Sequence, residues 1–537
     1  MTRPLIRALA AAAVLAAGPA GAQDRPSEEE LFGNPQPPAP EQRPAEAAPP
    51  AGKPPAPDEA RRGEEAPVPK GTDRAREAEM FGGTGSPNAA PPPAEGVVSR
   101  AGAQEDPLKV GGQIYLRATS TWQQDVPPSD WILTSPNLLD VFLDVRPNER
   151  VRGFVLGRLS YDPTLVPGER TPGQALTTVP GVSATPLQNP RGVLDQLWLN
   201  FDPGRRVFVT AGRQHVKWGV GKFWNPTDYL HPVRRDPLAV FDVRVGTTMV
   251  KLHVPWEKRG WNFYGIAMFE DLAGELEPVD RLGRVAAGGR AELVLGPAEL
   301  GLDAMTQSGH RPRFGVDLSA GIWELDVHAE AALRTGIDGS HWAPGPPTPT
   351  DLLGYVRADP QGFTPQLTLG GSWSRNYSDE DAVTLGAEYF FNDAGYSDSS
   401  IYPFLLAGAP LIDPTAPTGQ QLSLRDPTAF RPFYMGRHYA GAFVYLPRPG
   451  SWNDTFLTLS VLGNLSDRSF IARLDHAVLA LTYLRVETFV AGHFGHRGGE
   501  FRLAFEVPPG AEAFLPIDPR LGRAPILDLG VALRVSL

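Results

Sequence analysis

The stretch WELDVHAEAALR, residues 323 to 334, decides the fold class of this chain. Apolar and polar side chains alternate along it, which is the period of a β-strand with two different faces. The apolar face carries Trp323, Leu325, Val327, Ala329, Ala331 and Leu333. The polar face carries Glu324, Asp326, His328, Glu330 and Arg334. An amphipathic helix would need a period near 3.6 residues, so the segment predicts a strand with one apolar face.

The same alternation recurs from residue 107 to the end of the chain. It is clear in LKVGGQIYLRATSTW at 108–122 and in LDLGVALRVSL at 527–537. Counting all such segments gives about 18 candidate strands, an even number within the range of bacterial outer-membrane barrels. A soluble β-sandwich also alternates, so the period alone does not choose between the two folds.

The connections between the candidate strands favour a barrel. Counted from the first strand, the odd-numbered gaps hold long irregular segments, at 162–192, 215–246, 335–363, 392–436 and 497–525. The even-numbered gaps hold tight turns such as RPNE, DPGRR, GPA and RPGSWN. An antiparallel barrel places long loops at one rim and short turns at the other. We therefore predict an all-β fold, an antiparallel transmembrane β-barrel of about 18 strands, with 16 to 20 as the range, over residues 107–537.

The first 106 residues have a different composition. Residues 1–22 carry two arginines, a short apolar run and the small residues Ala20-Gly21-Ala22, which predicts a signal peptide. Residues 23–106 are rich in proline, alanine and glutamate, which predicts a disordered tether in the periplasm. Within it EEELFG recurs as EAEMFG. The apolar pairs Leu31, Phe32 and Met80, Phe81 are either docking motifs for a periplasmic partner or a chance similarity in a biased sequence.

The composition excludes several functions. The chain has no cysteine, so neither disulfides nor thiolate metal sites are available. Lys+Arg 50 against Asp+Glu 61 gives a net charge of -11, which argues against a general nucleic-acid binder. No Gly-x-Ser-x-Gly elbow, HEXXH motif or phosphate-binding glycine loop occurs. We expect no enzymatic activity, no cofactor and no metal; His493, His496 and Glu500 fit a glycine-rich rim turn as well as a metal site.

The third long connection contains AGRQHVKWGVGKFWNPTDYLHPVRRDP, residues 211–237, which is unusually basic and aromatic. It is either a loop folded into the pore, where it would set the width and the field, or a compact surface loop packed on its own tryptophans. For the first alternative, the candidate constriction residues are Arg213, Gln214, His215, Lys217, Trp218, Lys222, Trp224, Asp228, Arg234 and Arg235.

The polar face of the opening strand would line the lumen. Carboxylates and an imidazole are metal-ligand types, but alternate residues of a strand lie nearly 7 Å apart and do not converge on one ion. We therefore expect a solvated acidic lumen stripe beside arginines, opposite the basic third loop. The stripe comprises Glu324, Asp326, His328, Glu330 and Arg334, and the other arginines are Arg284, Arg290 and Arg313.

The third loop also supplies a resemblance. Gly212-Arg213-Gln214, Trp218-Gly219 and Trp224-Asn225-Pro226 with Asp228 resemble a signature of porin-like outer-membrane barrels of Gram-negative bacteria, some of them substrate-uptake or polysaccharide-export channels. The chain departs from that pattern in its long tether and in ending on Leu537 where an aromatic residue is usual.

The resemblance implies a channel in the outer membrane for passive or facilitated diffusion of small polar or charged solutes. It also implies contact with outer-membrane lipid and insertion by the barrel-assembly machinery, and it leaves open whether three copies associate. The alternative function is a structural or adhesive barrel that binds partners through its extracellular loops and its tether.

Overall fold

The structure is a computed structural model that describes most of the chain from residue 107 onward. The described ranges are 107–165, 189–204, 206–231, 234–242, 244–272, 279–337, 341–346, 354–358, 360–378, 381–407, 431–504 and 523–537. The predicted signal peptide, the tether and its paired motifs (Leu31, Phe32, Met80, Phe81) lie outside the described residues.

Strands account for nearly all regular structure in these ranges. They are β1 (Leu108–Gln123), β2 (Ile132–Thr134), β3 (Asn137–Asn148), β4 (Val151–Tyr161), β5 (Arg191–Phe201), β6 (Phe208–Gln214), β7 (Thr247–Trp256), β8 (Trp261–Met268), β9 (Ala286–Leu295), β10 (Ala298–Thr306), β11 (Arg313–Ile322), β12 (Leu325–Arg334), β13 (His341–Pro344), β14 (Tyr355–Ala358), β15 (Gln366–Asn376), β16 (Ala382–Asn392), β17 (His438–Pro447), β18 (Thr455–Asn464), β19 (Ser469–Leu481), β20 (Leu484–Gly495) and β21 (Pro525–Ser536). A short helix, α1, spans Tyr402–Ala407. None of the helices in the described ranges is long and apolar enough to cross a membrane.

Eighteen of these strands form one closed antiparallel barrel, which confirms the predicted fold. The barrel closes where β21 pairs with β1, from Gln113 opposite Ser536 to Gln123 opposite Pro525. The short β2 adds to the end of β1, and β13 and β14 form a separate hairpin. Since lipid offers no partner to backbone N–H and C=O groups, this closure is what allows the sheet to span a bilayer.

The two rims differ as the gap lengths predicted. One rim carries short turns, including 149–150, 296–297, 323–324 and 482–483. The first residues of β1 and the end of the chain meet at the same rim, where the Gly112 N–H donates to the Leu537 carbonyl. The opposite rim carries the long connections, and 215–246 is the third of them.

The two faces of the barrel wall are inverted relative to a soluble protein. On β11, Phe314, Val316 and Leu318 are exposed, whereas Arg313 and Asp317 are buried. An apolar band on the outside suits lipid, and a polar inner face suits a wet lumen. One alternating pattern along each strand therefore suits both the lipid outside the barrel and the water inside it.

The stretch WELDVHAEAALR, residues 323–334, forms a strand over most of its length, but its first two residues lie outside that strand. Trp323 has φ of 57° and, with Glu324, makes the two-residue turn between β11 and β12. Trp373 Nε1 donates to the Glu324 carboxylate at 3.0 Å. The prediction that Glu324 lines the lumen is therefore wrong, because a tight turn at the rim interrupts the alternation there.

The outward band leads to a stability prediction. Leu318 lies near the middle of β11 and Ile322 at its rim end, and each is 40 % exposed on the outer face. Leu318→Arg is expected to cost ~2–4 kcal/mol of unfolding free energy, whereas Ile322→Arg costs only ~0–1 kcal/mol, because charge is least tolerated at the bilayer midplane. Reversible denaturant unfolding in lipid vesicles measures both, and equal costs would contradict a lipid-facing band.

Candidate functional site

The third connection folds into the barrel and packs on its inner wall over its described residues, 215–231, 234–242 and 244–246. Trp218 and Trp224 are 1 % and 0 % exposed. Trp218 belongs to a buried cluster with the wall residues Met249 and Tyr264, and Trp224 stacks on Phe390 with ring centroids 5.7 Å apart. The segment therefore lies within the lumen and is not a compact loop on the outer surface.

A wall glutamate fixes the middle of this loop. Glu330 of β12 accepts hydrogen bonds from the backbone N–H groups of Val220 at 3.0 Å and Gly221 at 3.2 Å. Its other oxygen accepts from the N–H and from the hydroxyl of Thr227, both at 2.7 Å. Glu330 is 1 % exposed. The expectation of a solvated stripe is therefore wrong at Glu330, because the loop covers it and uses it as an acceptor.

A second glutamate holds the adjacent part of the loop. Glu388 of β16 accepts from the N–H groups of Lys222 at 2.7 Å, Phe223 at 3.1 Å and Trp224 at 2.8 Å. His328 of β12 lies beside it, with Nε2 3.1 Å from a Glu388 oxygen. Glu330 and Glu388 are called the carboxylate anchors below. Together they bind consecutive peptide N–H groups, as an anion-binding nest does.

The loop sequence is fitted to the first anchor. Gly219 has φ of +93°, a backbone conformation that side chains rarely adopt. A Cβ atom built on Gly219 would also lie 2.6 Å from the Glu330 carboxylate oxygens. The Trp218-Gly219 pair of the sequence signature therefore has a steric reason, since only glycine lets the backbone approach the carboxylate this closely.

Both ends of the loop are held by one residue of β5. Asp195 lies 2.9 Å from His215 Nε2 and accepts from the Gly246 N–H at 3.0 Å. The β4 and β5 register shifts by one residue at this point, so Asp195 and Gln196 are both buried between the exposed Leu194 and Leu197. This bulge turns an additional carboxylate toward the lumen.

A buried ion network lies inside the loop itself. Arg244 pairs with Asp228 at 2.9 Å and with Asp242 at 2.6 Å. Burial would raise the pKa of Asp242, but the Arg244 guanidinium holds it well below its ordinary value. Burial, followed by the positive charge of Arg244, lowers the pKa of the nearby His231 to about 4. His231 is therefore neutral at pH 7.

Not all the candidate constriction residues face the lumen. Arg213 pairs across the sheet with the exposed Leu197 and binds Glu270 at 3.2 Å, so it lies on the outer face of β6. The prediction that Arg213 contributes to a constriction is wrong, because its neighbour Gln214 takes the inward position and alternation turns Arg213 outward. His215, Trp218, Trp224 and Asp228 lie inside, as described above.

The remaining basic residues of the loop are partly buried. The Lys222 ammonium lies 3.5 Å from the centroid of the Phe443 ring. Arg234 donates to the carbonyl oxygens of Asn225 at 3.3 Å and Asp228 at 3.1 Å. Lys217 and Arg235 are also partly buried. We expected an electric field across the lumen between a basic loop and an opposing acidic stripe. That field does not form, because the loop lies directly on the carboxylate anchors.

The expected stripe on β12 is also shorter than predicted. Asp326, His328, Glu330 and Arg334 share the inner face, whereas Glu324 lies in the turn. Within the described part of the chain, no group of three His, Asp or Glu side chains is placed to hold a metal ion.

Four arginines on neighbouring strands form a basic wall that the sequence analysis missed. They lie on β1, β19, β20 and β21, and they are Arg117, Arg473, Arg485 and Arg534. Two wall carboxylates accompany them. Arg473 pairs with Asp475 at 2.6 Å, and Glu487 pairs with Arg534 at 2.6 Å and with Arg485 at 3.4 Å. Alternation places each arginine on the inner face, but only closure of the barrel makes β21 and β1 neighbours.

A cavity of about 70 Å³ lies between this basic wall and the loop residues 237–240. Arg473, Arg485 and Glu487 line it together with Leu238 and Phe489. In this part of the lumen, charged wall residues border open space beside the loop.

The fold and this inner site define the class of the protein as a transmembrane β-barrel with a loop folded into its lumen. No family model and no curated protein matches the chain. Among solved structures, Pseudomonas aeruginosa OccK8 (OprE) shares 9% identity over 80% of this chain and 98% of its own, with a TM-score of 0.44. Escherichia coli Wzi, a carbohydrate-binding β-barrel involved in capsule assembly, shares 10% identity over 82% of this chain and 86% of its own, with a TM-score of 0.41. A variant of the Rh. blastica porin shares 10% identity over 80% of this chain and 100% of its own, with a TM-score of 0.35. The porin-like architecture of this chain rests on its closed sheet.

The carboxylate anchors give a test of loop attachment. Glu330→Gln replaces an acceptor-only group by an amide whose NH₂ opposes the loop N–H donors, and Glu388→Gln does the same at the second anchor. Because charged hydrogen bonds contribute more than neutral ones, each change should raise the rate of tryptic cleavage at Lys217 and Lys222 by about tenfold. Asp326→Asn, on the same face of β12 but nearer the short-turn rim, is the control. Equal cleavage in all three variants would refute the anchoring role.

The buried His231 predicts a pH dependence. Its pKa is about 4 in the folded protein, below the ordinary value of 6.5. The unfolded or released loop therefore binds a proton first, so the stability of loop packing is full above pH 6.5 and falls as the pH drops toward 4. The whole shift corresponds to ~3 kcal/mol.

Hydrogen exchange of a peptide covering 215–231, corrected for the intrinsic rate at each pH, measures this loss. His231→Gln should flatten the dependence between pH 6.5 and 4. An unchanged profile in the variant would assign the effect to another group.

Proposed function

We propose that this chain is an outer-membrane channel for passive or facilitated diffusion of small polar or charged solutes. The observation that carries the proposal is the closed barrel of 18 strands with a polar, ion-paired inner wall. Barrels of this size enclose more space than wall side chains alone can fill.

In this proposal the third loop is the constriction. It occupies the lumen, it is attached by the carboxylate anchors, and it leaves open space against the basic wall. Solute would pass between the loop and the basic wall, whose arginines set the selectivity. The short-turn rim then faces the periplasm, with residues 1–22 as a signal peptide and 23–106 as a tether there.

Planar-bilayer recording of the full chain tests the proposal. We expect steady single-channel conductance. We also expect Arg473→Glu to shift the reversal potential in a KCl gradient toward cation selectivity, because it reverses one charge in the lumen, and to change the ratio of K⁺ to Cl⁻ permeability roughly severalfold. Arg213→Glu makes the same charge change on the outer face and should leave selectivity unchanged. A silent barrel would refute the channel, and equal shifts would refute selection at the basic wall.

One observation favours the alternative of a structural or adhesive barrel. At the long-loop rim, α1 contributes Tyr402 and Phe404 to a third apolar cluster, against which Trp342 of β13 and Tyr355 of β14 pack. Ordered loops at the outer mouth could bind a partner, and the loop inside could close the lumen. A folded barrel without conductance would support this function, together with docking through Leu31, Phe32, Met80 and Phe81.

A further inference from the structure

We propose that a polar pair on the outer face of the barrel, His476 of β19 and Thr488 of β20, is the contact through which a second copy of this chain binds. The two strands are neighbours in the sheet, and the two residues are direct cross-strand partners. The inference goes beyond the proposed function and does not depend on it, because it concerns the lipid-facing side of the wall and holds for a conducting or a silent barrel.

Both side chains of the polar pair point away from the lumen. Asp475 of β19 lies inside, in its ion pair with an arginine of the basic wall, whereas Leu474 on the other face is 45 % exposed. Glu487 of β20 also lies inside, paired with the same wall. Successive residues of a strand face opposite sides. His476, which follows Asp475, and Thr488, which follows Glu487, therefore lie on the outer face.

The polar pair lies in the interior of its strands, among apolar neighbours. The strands span Ser469–Leu481 and Leu484–Gly495. The partner of His476 on β18 is Leu457, and the partner of Thr488 on β21 is Val531. Lipid hydrocarbon offers no hydrogen-bond partner, so an imidazole at this depth is costly unless another protein group meets it.

His476 differs in depth from the other outward-facing polar residues of this type. Among the described strands of the barrel, the other charged or imidazole side chains on the outer face lie at the first or the next-to-last residue of a strand. They are His438, Arg213 and Arg375. Side chains at such positions reach the polar edge of the membrane. His476 has no such access, which indicates that its position on the wall is covered.

The polar pair has hydrogen-bonding capacity that this chain does not use. His476 Nδ1 lies 3.4 Å from Thr488 Oγ1, a long contact. His476 Nε2 has no hydrogen-bond partner among the described residues. A neutral imidazole has one donor and one acceptor nitrogen, and a hydroxyl both donates and accepts. Either group can therefore bond to a second imidazole or to a second hydroxyl.

A second copy meets this requirement without any further condition. Copies of one barrel insert in the same direction, so a twofold axis between them runs along the membrane normal and brings residues of equal depth together. An interface around such an axis must be complementary to itself. The polar pair is, because the imidazole of one copy can bond to the imidazole or the hydroxyl of the other. Hydrogen bonds of this kind hold membrane-spanning segments together.

The wall beside the polar pair allows close approach. Ala472 and Gly492 are cross-strand partners on the same outer face, nearer the long-loop rim. A Cβ atom built on Gly492 would meet nothing within 4 Å. Small residues of this kind let two membrane-spanning walls come close enough for polar contacts to form.

Cross-linking in the membrane tests the location of the contact. The chain has no cysteine, so Leu474→Cys and Thr488→Cys each introduce a single thiol and keep His476. Oxidation of isolated outer membranes with copper phenanthroline should give a product of twice the chain mass with at least one of them, since a disulfide needs Cα atoms within ~7 Å. Leu318→Cys, on the outer face of β11, is the control and should give none. No such product, or an adduct with a different protein in its place, would overturn the proposal.

The mass of the full chain in mild detergent tests the role of the imidazole. Light scattering corrected for bound detergent should give a dimer, and His476→Leu should raise its dissociation constant by about tenfold or more, since each dimer loses two imidazole contacts. His438→Leu is the matched control. It removes a rim imidazole that lies 2.7 Å from the Tyr389 hydroxyl, and it should leave the dissociation constant unchanged.

Leucine suits a lipid-facing position, so His476→Leu should keep the heat-modifiable migration of a folded barrel. If it does not fold, Thr488→Val takes its place, with a rise of severalfold expected. A monomeric or trimeric wild-type protein would overturn the twofold contact. An unchanged dissociation constant in a folded variant would overturn the role of the polar pair.

Discussion

The pairing of the last strand with the first closes the sheet, and both the membrane-spanning wall and the lumen follow from that closure. β21 pairs with β1 along eleven partner positions, so the barrel has neighbours for the backbone groups at what would otherwise be its two edges. In lipid this pairing is obligatory, because an unpaired N–H or C=O group finds no water. Closure also creates an inside and an outside, which is why the same alternating strands can present leucine and valine to lipid and charged residues to the lumen.

The lumen so created is shared by the wall and the third loop. A loop placed inside a barrel has backbone N–H groups that strand pairing does not satisfy, and Glu330 and Glu388 accept hydrogen bonds from six of its residues. Burying two carboxylates is costly unless each is fully hydrogen-bonded. Here the donors of the loop offset that cost, and the loop gains a fixed position from side chains on a rigid sheet.

The position of the loop sorts the charges of the inner wall into two regions. Carboxylates of β12 and β16 lie beneath the loop and are occupied by its backbone. Arg473 of β19 and Arg485 of β20 border the remaining cavity, and Arg534 of β21 pairs with Glu487 beside it. The electrostatic field that a solute meets therefore depends on the part of the inner wall that the loop does not cover. The net charge of the chain, -11, does not predict the charge along this part of the lumen, where arginines form the basic wall.

The barrel fold could be predicted from the sequence alone, because a period of two and alternating gap lengths are local properties that can be recognised without knowledge of any long-range contact. The sequence also identified the third loop and the inward side of Glu330. The sequence analysis misplaced two residues. Arg213 lies on the outer face of β6, because its neighbour Gln214 takes the inward position, and Glu324 lies in the rim turn between β11 and β12. It gave no sign that Glu388 binds the loop N–H groups, a contact 166 residues apart in the chain, or that Arg117 and Arg534 are neighbours. Those contacts depend on the folded barrel, since its closure and the insertion of the loop bring together residues whose separation in sequence carries no information about their distance in space.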